Sequence, residues 1–338
     1  MRNHTILVTT RSFGREVPEP MDRLRKAGCT VLEWREGSGL DEADLRTKVS
    51  HADAWIVAFH PIDAALMDAA PRLRVIAKHG VGVDNIDLRA ATARGIVVTT
   101  APSANDQAVA DLAMALLLAL LRRVPEANAS VKAGQWERFL GFGLNGKVMG
   151  IVGLGRIGQN VARRAKGFGA ELIAADPLWP EEAAQEIGIR RVELKTLFAQ
   201  SDVISLHTPL TPDTTGLIGE ATLALMKPGV WIVNTSRGRI VNEQAMYEAL
   251  VSGKVAGYAT DVFDHEPPVG SPLLGLPNVI GTPHMGTHTR ESLRLMGDRV
   301  ADAVLRVLNG ERPEFAVNLE VFERSADSRA KSTESLTA

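Results

Sequence analysis

The run Gly153-Leu154-Gly155-Arg156-Ile157-Gly158 follows the apolar stretch Val148-Met149-Gly150-Ile151-Val152 and opens into a helical pattern. A Gly-x-Gly-x-x-Gly turn between strand and helix suits a dinucleotide pyrophosphate. Gly153 permits the tight turn, Gly155 lets backbone N–H groups approach the phosphates, and Gly158 lets the helix lie close on the strand. The next strand ends at Asp176, a carboxylate placed to accept hydrogen bonds from a ribose 2′-hydroxyl and to repel a 2′-phosphate. Pro177, Leu178 and Trp179 beside it carry no charge, so NAD rather than NADP is predicted. Taken alone, the turn also fits an S-adenosyl cofactor.

Three charged side chains fall just beyond later strands, at the carboxyl edge where open α/β sheets bind ligands. Arg237 lies in Asn234-Thr235-Ser236-Arg237-Gly238, Glu266 in Phe263-Asp264-His265-Glu266-Pro267, and His284 in Gly281-Thr282-Pro283-His284-Met285-Gly286. Histidine suits reversible proton exchange near neutrality, and the planar fork of arginine suits a carboxylate. Singly, each has a plainer reading: a surface ion-pair partner, a solvated loop acid, a satisfied interface histidine. Their joint placement argues for chemistry. His284 and His288 stand four apart, but no glutamate lies between them and no third ligand is evident, so no metal site is expected.

The elements that must position these residues form two α/β arrays. In the first hundred residues, β-branched runs at 6–9, 31–34, 54–59, 74–78 and 96–99 alternate with helical patterns at 18–27, 41–49, 63–69 and 88–94. That alternation predicts a parallel sheet. Ser103 or Asn105 is expected to cap a long apolar helix reaching about Arg122. A glycine-punctuated excursion follows from Lys132 to Gly146. Strands are then predicted at 148–152, 172–175, 203–207, 230–234, 257–262 and 279–281. Leu293, Met296, Val300, Val304 and Leu308 recur at helical spacing in a closing helix over 289–308, which suggests a return to the first array.

The bulk numbers agree with a large folded core. The chain has 338 residues, 45% hydrophobic and 23% charged, with a formal net charge of -2. Wholesale disorder is excluded, and the lack of a basic run argues against a nucleic-acid or anionic-membrane surface. One cysteine, Cys29, allows neither an intrachain disulfide nor a cysteine-rich metal site. No signal-like segment opens the sequence, and the apolar run from Leu112 to Leu121 falls short of the ~20 residues that span a bilayer. A cytoplasmic protein is expected.

With Gly80-Val81-Gly82-Val83-Asp84-Asn85-Ile86-Asp87, Trp136-Glu137-Arg138, the glycine turn and His207-Thr208-Pro209-Leu210, the sequence resembles the D-isomer-specific 2-hydroxyacid dehydrogenases. The likeness runs over roughly residues 5 to 320 and is strongest to the phosphoglycerate dehydrogenase branch. It implies two doubly wound parallel-sheet domains, one flavodoxin-like for substrate and one Rossmann domain for NAD, with a cleft between them. The implied boundaries are 1–102 with 286–322 for substrate and 103–285 for NAD, followed by a disordered polar tail, 323–338. Arg237, Glu266 and His284 occupy the family's three catalytic positions. The cofactor positions are Gly153, Gly155, Arg156, Ile157, Gly158, Asp176, His207, Thr208, Pro209, Thr235, Asp261 and His284. The substrate positions are Lys78, Val81, Gly82, Arg237 and His284.

The reaction so implied is hydride transfer between NAD and a small D-2-hydroxy acid, with 3-phosphoglycerate the leading candidate. Hydroxypyruvate/glycerate reduction or another 2-hydroxyacid dehydrogenase activity is the alternative. An NAD(H)-sensing, corepressor-like binding protein is the alternative of another class. Lys78, His79, Arg138 and Arg11 are expected as a cationic rim for a second anionic group, with Arg138 supplied by the neighbouring subunit of a homodimer. Arg239 and Asn242 depart from the family pattern beside Arg237. The branch's regulatory C-terminal domain, and feedback by serine through it, is not expected.

Overall fold

The computed structural model describes residues 3–34 and 41–323; most of the expected disordered tail, from residue 324 on, lies outside the described residues. The chain forms two compact units, one up to Asn105 and again from His288, the other from Asp106 to Thr287. The first begins β1 (Thr5–Val8), α1 (Glu19–Lys26), β2 (Thr30–Glu33), α2 (Glu42–Ser50) and β3 (Ala54–Val57). It continues through α3 (Ala64–Asp68), β4 (Val75–Lys78), α4 (Leu88–Ala93) and β5 (Val97–Thr99). The second opens with α5 (Asp106–Arg122), α6 (Val124–Lys132), β6 (Val148–Val152), α7 (Arg156–Gly167) and β7 (Glu171–Ala175). Then come α8 (Glu181–Ile187), β8 (Arg190–Arg191), α9 (Leu194–Gln200), β9 (Val203–Leu206) and α10 (Glu220–Leu225). It closes with β10 (Val230–Asn234), α11 (Glu243–Val251), β11 (Val255–Thr260) and β12 (Val279–Gly281), and α12 (Arg290–Leu308) belongs to the first unit.

The first sheet is parallel in the order β2-β1-β3-β4-β5, the flavodoxin-like order. β3 and β4 are buried at every position, as strands covered on both faces must be. Phe13, Met21 and Leu24 meet Leu293, Met296 and Val300 of α12 on one face. Leu45, Val49, Trp55 and Leu66 fill the other. Asp41, Asp63 and Asp87 cap α2, α3 and α4, giving otherwise orphaned N–H groups an acceptor.

The second sheet runs β12-β11-β10-β9-β6-β7-β8, all parallel, which is a Rossmann arrangement. Strand order reverses at β6, so the switch point, where such sheets bind ligands, lies at its carboxyl end.

Two elements arise where the sequence carries no signal, and one local expectation changes. α6 was not anticipated, because VPEANASVK buries only Ser130 and so shows no apolar period. β8 is two exposed arginines beside β7 and carries no strand pattern at all. Neither Ser103 nor Asn105 caps α5: Ser103 holds a left-handed backbone, φ 59, and Asn105 Oδ1 is buried without a partner.

Candidate active site

At the switch point β6 feeds the glycine turn. Gly153 has φ +91, and a Cβ there would sit 2.7 Å from the His207 carbonyl oxygen, so both conformation and space demand glycine. A Cβ on Gly158 would lie 2.2 Å from the Gly153 carbonyl oxygen. Gly155 differs, with nothing within 4 Å of where its Cβ would stand. It precedes α7, whose first N–H groups receive no side-chain cap. Open space over the uncapped amides of Arg156 and Ile157 makes a cradle that fits a diphosphate. Asp176 Oδ2 accepts from Leu154 N–H at 2.6 Å and Oδ1 from Leu178 N–H at 2.7 Å, which pins the turn to the end of β7.

The neighbouring strand ends complete this edge. His207 Nε2 meets Ser205 Oγ at 2.7 Å, and desolvation pushes the imidazole down to about 4, so the ring is neutral at physiological pH. The Thr208 carbonyl accepts from Ser236 Oγ, and the Pro209 carbonyl from Thr214 Oγ1 at 2.7 Å. Thr235 Oγ1 is buried with no partner, the kind of unsatisfied hydroxyl a ligand can satisfy. The residues at these strand ends therefore fit a dinucleotide.

Arg237 follows β10. Asn234 wraps the turn, its Oδ1 accepting from Ser236 N–H at 3.0 Å and its Nδ2 donating to the Arg237 carbonyl at 2.9 Å. A Cβ on Gly238 would lie 2.0 Å from the Phe263 carbonyl carbon, so the Arg237 turn presses directly on the loop that leads to Glu266. Glu266 Oε1 accepts from Phe263 N–H at 3.0 Å, and Oε2 lies 2.7 Å from His284 Nδ1. Burial pushes the Glu266 carboxyl up. Against it, the bond and charge of His284, the Phe263 N–H and the Arg237 charge hold it below its ordinary value. Arg237, Glu266 and His284 are thus brought together. An ionised Glu266 must accept from Nδ1–H, which leaves Nε2 as the nitrogen whose proton can be exchanged.

Asp261 was expected in the cofactor site, within strand 257–262. β11 ends earlier, where Thr260 Oγ1 bonds Val262 on both its N–H and C=O, and Asp261 falls in the loop. Its Oδ1 accepts from Thr282 Oγ1 at 2.7 Å and Met285 N–H at 2.8 Å, its Oδ2 from Gly286 N–H at 2.7 Å. It therefore suspends the segment holding His284, whose own backbone is left-handed at φ 52. Burial pushes the Asp261 carboxyl up against these bonds.

In the first unit, Val81 and Gly82 follow β4, with Val81 43% exposed. The expected cationic rim is not how Lys78 is placed. Its side chain is buried and donates to the Ala58 carbonyl and Asn85 Oδ1. His79 is buried as well, whereas Arg11 and Arg138 are exposed. Asn242 accepts from Ala245 N–H and caps α11, a task asparagine and aspartate share. Arg239 lies 3.6 Å from Asp264 on the surface. Sequence reasoning missed Asn85 and Asn234. An Asn-Thr-Ser run at a strand end is an Asx-turn signal that points to Asn234; nothing local points to Asn85. Among the described residues, no group of three or more His, Cys, Asp or Glu could hold a metal ion, and no helix is long and apolar enough to cross a membrane.

Residues 114–286 match the D-isomer specific 2-hydroxyacid dehydrogenase, NAD binding domain. The D-3-phosphoglycerate dehydrogenase of Methanocaldococcus jannaschii is 46% identical over 86% of this chain and 56% of its own length. The chain thus spans little more than half of that relative. The glyoxylate reductase of Thermococcus litoralis is 42% identical over 92% of this chain and 97% of its own. Among solved structures, a glyoxylate reductase from Paecilomyes thermophila superposes with a TM-score of 0.83 at 34% identity, covering 95% of this chain and all of that one.

Proposed function

The chain belongs to the D-isomer-specific 2-hydroxyacid dehydrogenase family, and we propose that it oxidises a small D-2-hydroxy acid, or reduces the matching 2-oxo acid, with NAD. NAD, when bound, supplies the hydride acceptor for oxidation and, reduced, the donor for reduction. The remaining work falls to side chains. Arg237 binds the substrate carboxylate and polarises the C2 oxygen. His284 takes the hydroxyl proton at Nε2 in oxidation and returns it in reduction. Glu266 fixes the ring through Nδ1 and balances the imidazolium charge. In the first unit, the Gly80-Val81-Gly82 turn offers backbone N–H groups suited to a carboxylate. The observation that carries this reading is the 2.7 Å Glu266–His284 pair with Arg237 acting on the same carboxylate.

The first candidate substrate is 3-phosphoglycerate, in line with the name of the 46%-identical relative. Glyoxylate or hydroxypyruvate reduction is the second reading. It is favoured by the glyoxylate reductase matched along 97% of its length and by the internal bonds of Lys78. Initial rates of NADH oxidation with glyoxylate, hydroxypyruvate and the 2-oxo acid of 3-phosphoglycerate, repeated with NADPH, test this. NADH-dependent turnover of at least one is expected, with NADPH far poorer. NADH binding without turnover of any 2-oxo acid would replace the enzyme by a dinucleotide-sensing protein. A homodimer in the cytoplasm completes the proposal. Cys29, the lone cysteine, asks for no oxidising compartment, and the second unit exposes an apolar face suited to a second copy.

A further inference from the structure

Successive residues of an extended chain point to opposite faces of a sheet. At the carboxyl end of β4, Lys78 and His79 are both polar and both buried, and each is bonded to a different neighbour. On one face Lys78 Nζ donates to the Ala58 carbonyl and, at 2.6 Å, to Asn85 Oδ1. Asn85 Nδ2 in turn donates to the Ala58 carbonyl at 3.1 Å and the His60 carbonyl at 2.7 Å. Ile62 N–H donates to the Asn85 carbonyl, and Asp87 N–H to that of Ile62. The loops after β3 and β4 are stitched together around one ammonium, with the Phe59 ring 5.6 Å away.

On the other face His79 Nδ1 meets Ser12 Oγ at 2.9 Å, and that hydroxyl meets Thr10 Oγ1 at 3.0 Å. Its ring stands edge-on to Phe13, 5.6 Å between centroids. Burial pushes this imidazole down to about 4, so it bonds as an uncharged ring. Directly after it comes Gly80, at φ 155, whose carbonyl accepts from Ala101 N–H at 2.8 Å. The turn Gly80-Val81-Gly82 therefore leaves a strand end held on both faces and at its own backbone.

We propose that Lys78, Asn85 and His79 are positioning residues for the Gly80–Gly82 turn: a two-sided brace that aims its N–H groups, with Lys78 bonded into the protein rather than to a second anionic group of the substrate. The inference rests on the carboxylate role given to that turn above. Removing the ammonium leaves the Asn85 and Ala58 oxygens short of a buried donor and loosens the turn for every 2-oxo acid alike.

Lys78→Met, Asn85→Leu and His79→Phe, assayed with glyoxylate and with the 2-oxo acid of 3-phosphoglycerate, separate the two roles. KM is expected to rise by the same factor for both substrates, roughly tenfold for one lost buried hydrogen bond to a charged group. kcat and NADH affinity should change little. A rise confined to the phosphate-bearing substrate in Lys78→Met makes Lys78 a substrate contact and overturns the brace. Hydrogen exchange of residues 80–86 reads the brace without turnover: faster exchange in Lys78→Met and Asn85→Leu supports it, and unchanged exchange overturns it. If the wild-type protein reduces no 2-oxo acid, the dehydrogenase reading fails while exchange still decides the brace. Should Lys78→Met not fold, His79→Phe and Asn85→Leu carry the same reading.

Discussion

In the function proposed above, Glu266 and His284 divide the two imidazole nitrogens between support and chemistry, and each half has its own test. His284→Ala is expected to lower kcat on the order of 10²–10⁴-fold, the usual worth of a positioned acid or base. NADH affinity by fluorescence titration should hold, and turnover within tenfold of wild type would remove His284 from proton transfer. Glu266 has a depressed folded-state pKa, so its ionised form stabilises the native state above the ordinary glutamate range. That contribution is lost as pH falls through the folded pKa. Denaturant unfolding of wild type against Glu266→Gln should therefore show a gap at pH 7 that closes in acid; a gap independent of pH would mean the charge on Glu266 is not what stabilises. The trio was legible because each member sits in its own short motif. The fate of Lys78 was not, because it depends on a carbonyl at Ala58 and an amide at Asn85 that only the fold brings to it.

At the scale of elements, glycines that look equivalent in the sequence do different work. Gly153 and Gly158 face backbone atoms of their neighbours, while Gly155 faces open space. Gly158→Ala should destabilise the second unit by about 1–3 kcal/mol, as overpacking does. Gly155→Ala should leave the melting temperature unchanged and weaken NADH binding, because its methyl group projects into the room a diphosphate needs. Equal losses of stability in both would deny the cradle assigned to that turn. The Asp261 loop offers a second test with the opposite pH sign. Its raised carboxyl pKa means native stability is fullest below the unfolded pKa and declines as pH rises through the folded one. Asp261→Asn should abolish that decline while costing about 1–3 kcal/mol in lost backbone bonds; a decline that persists would place its source elsewhere. The strands were readable from β-branched runs bounded by glycine and proline. α6 was not, because the left-handed Arg123, φ 52, ends α5 and the next nine residues bury only Ser130. β8 exists only by pairing with β7, a long-range fact absent from its two arginines.

For the molecule as a whole, the second unit exposes more apolar surface than its own folding uses. Between Leu112 and Leu121, α5 is apolar on every side, yet only one side packs against the sheet and α7. Its other side joins Val124, Ala127, Val131 and Phe168 around a shallow groove that also takes in Ala115 and Leu118. Beyond α6, Trp136 is 82% and Leu140 88% exposed. A helix apolar all round belongs in an interior, and contiguous apolar patches of this kind mark association sites. A second copy packed about a two-fold axis would give these apolar side chains a partner. Light scattering is expected to give the mass of two chains. Trp136→Asp combined with Leu140→Asp should give one chain, and because neither side chain is packed within its own unit, circular dichroism and NADH binding should survive. A double variant that stays dimeric would move the interface to another face. A monomeric wild type would leave α5 with its apolar side in water and remove the second copy from the proposal, along with any role for a partner subunit's Arg138.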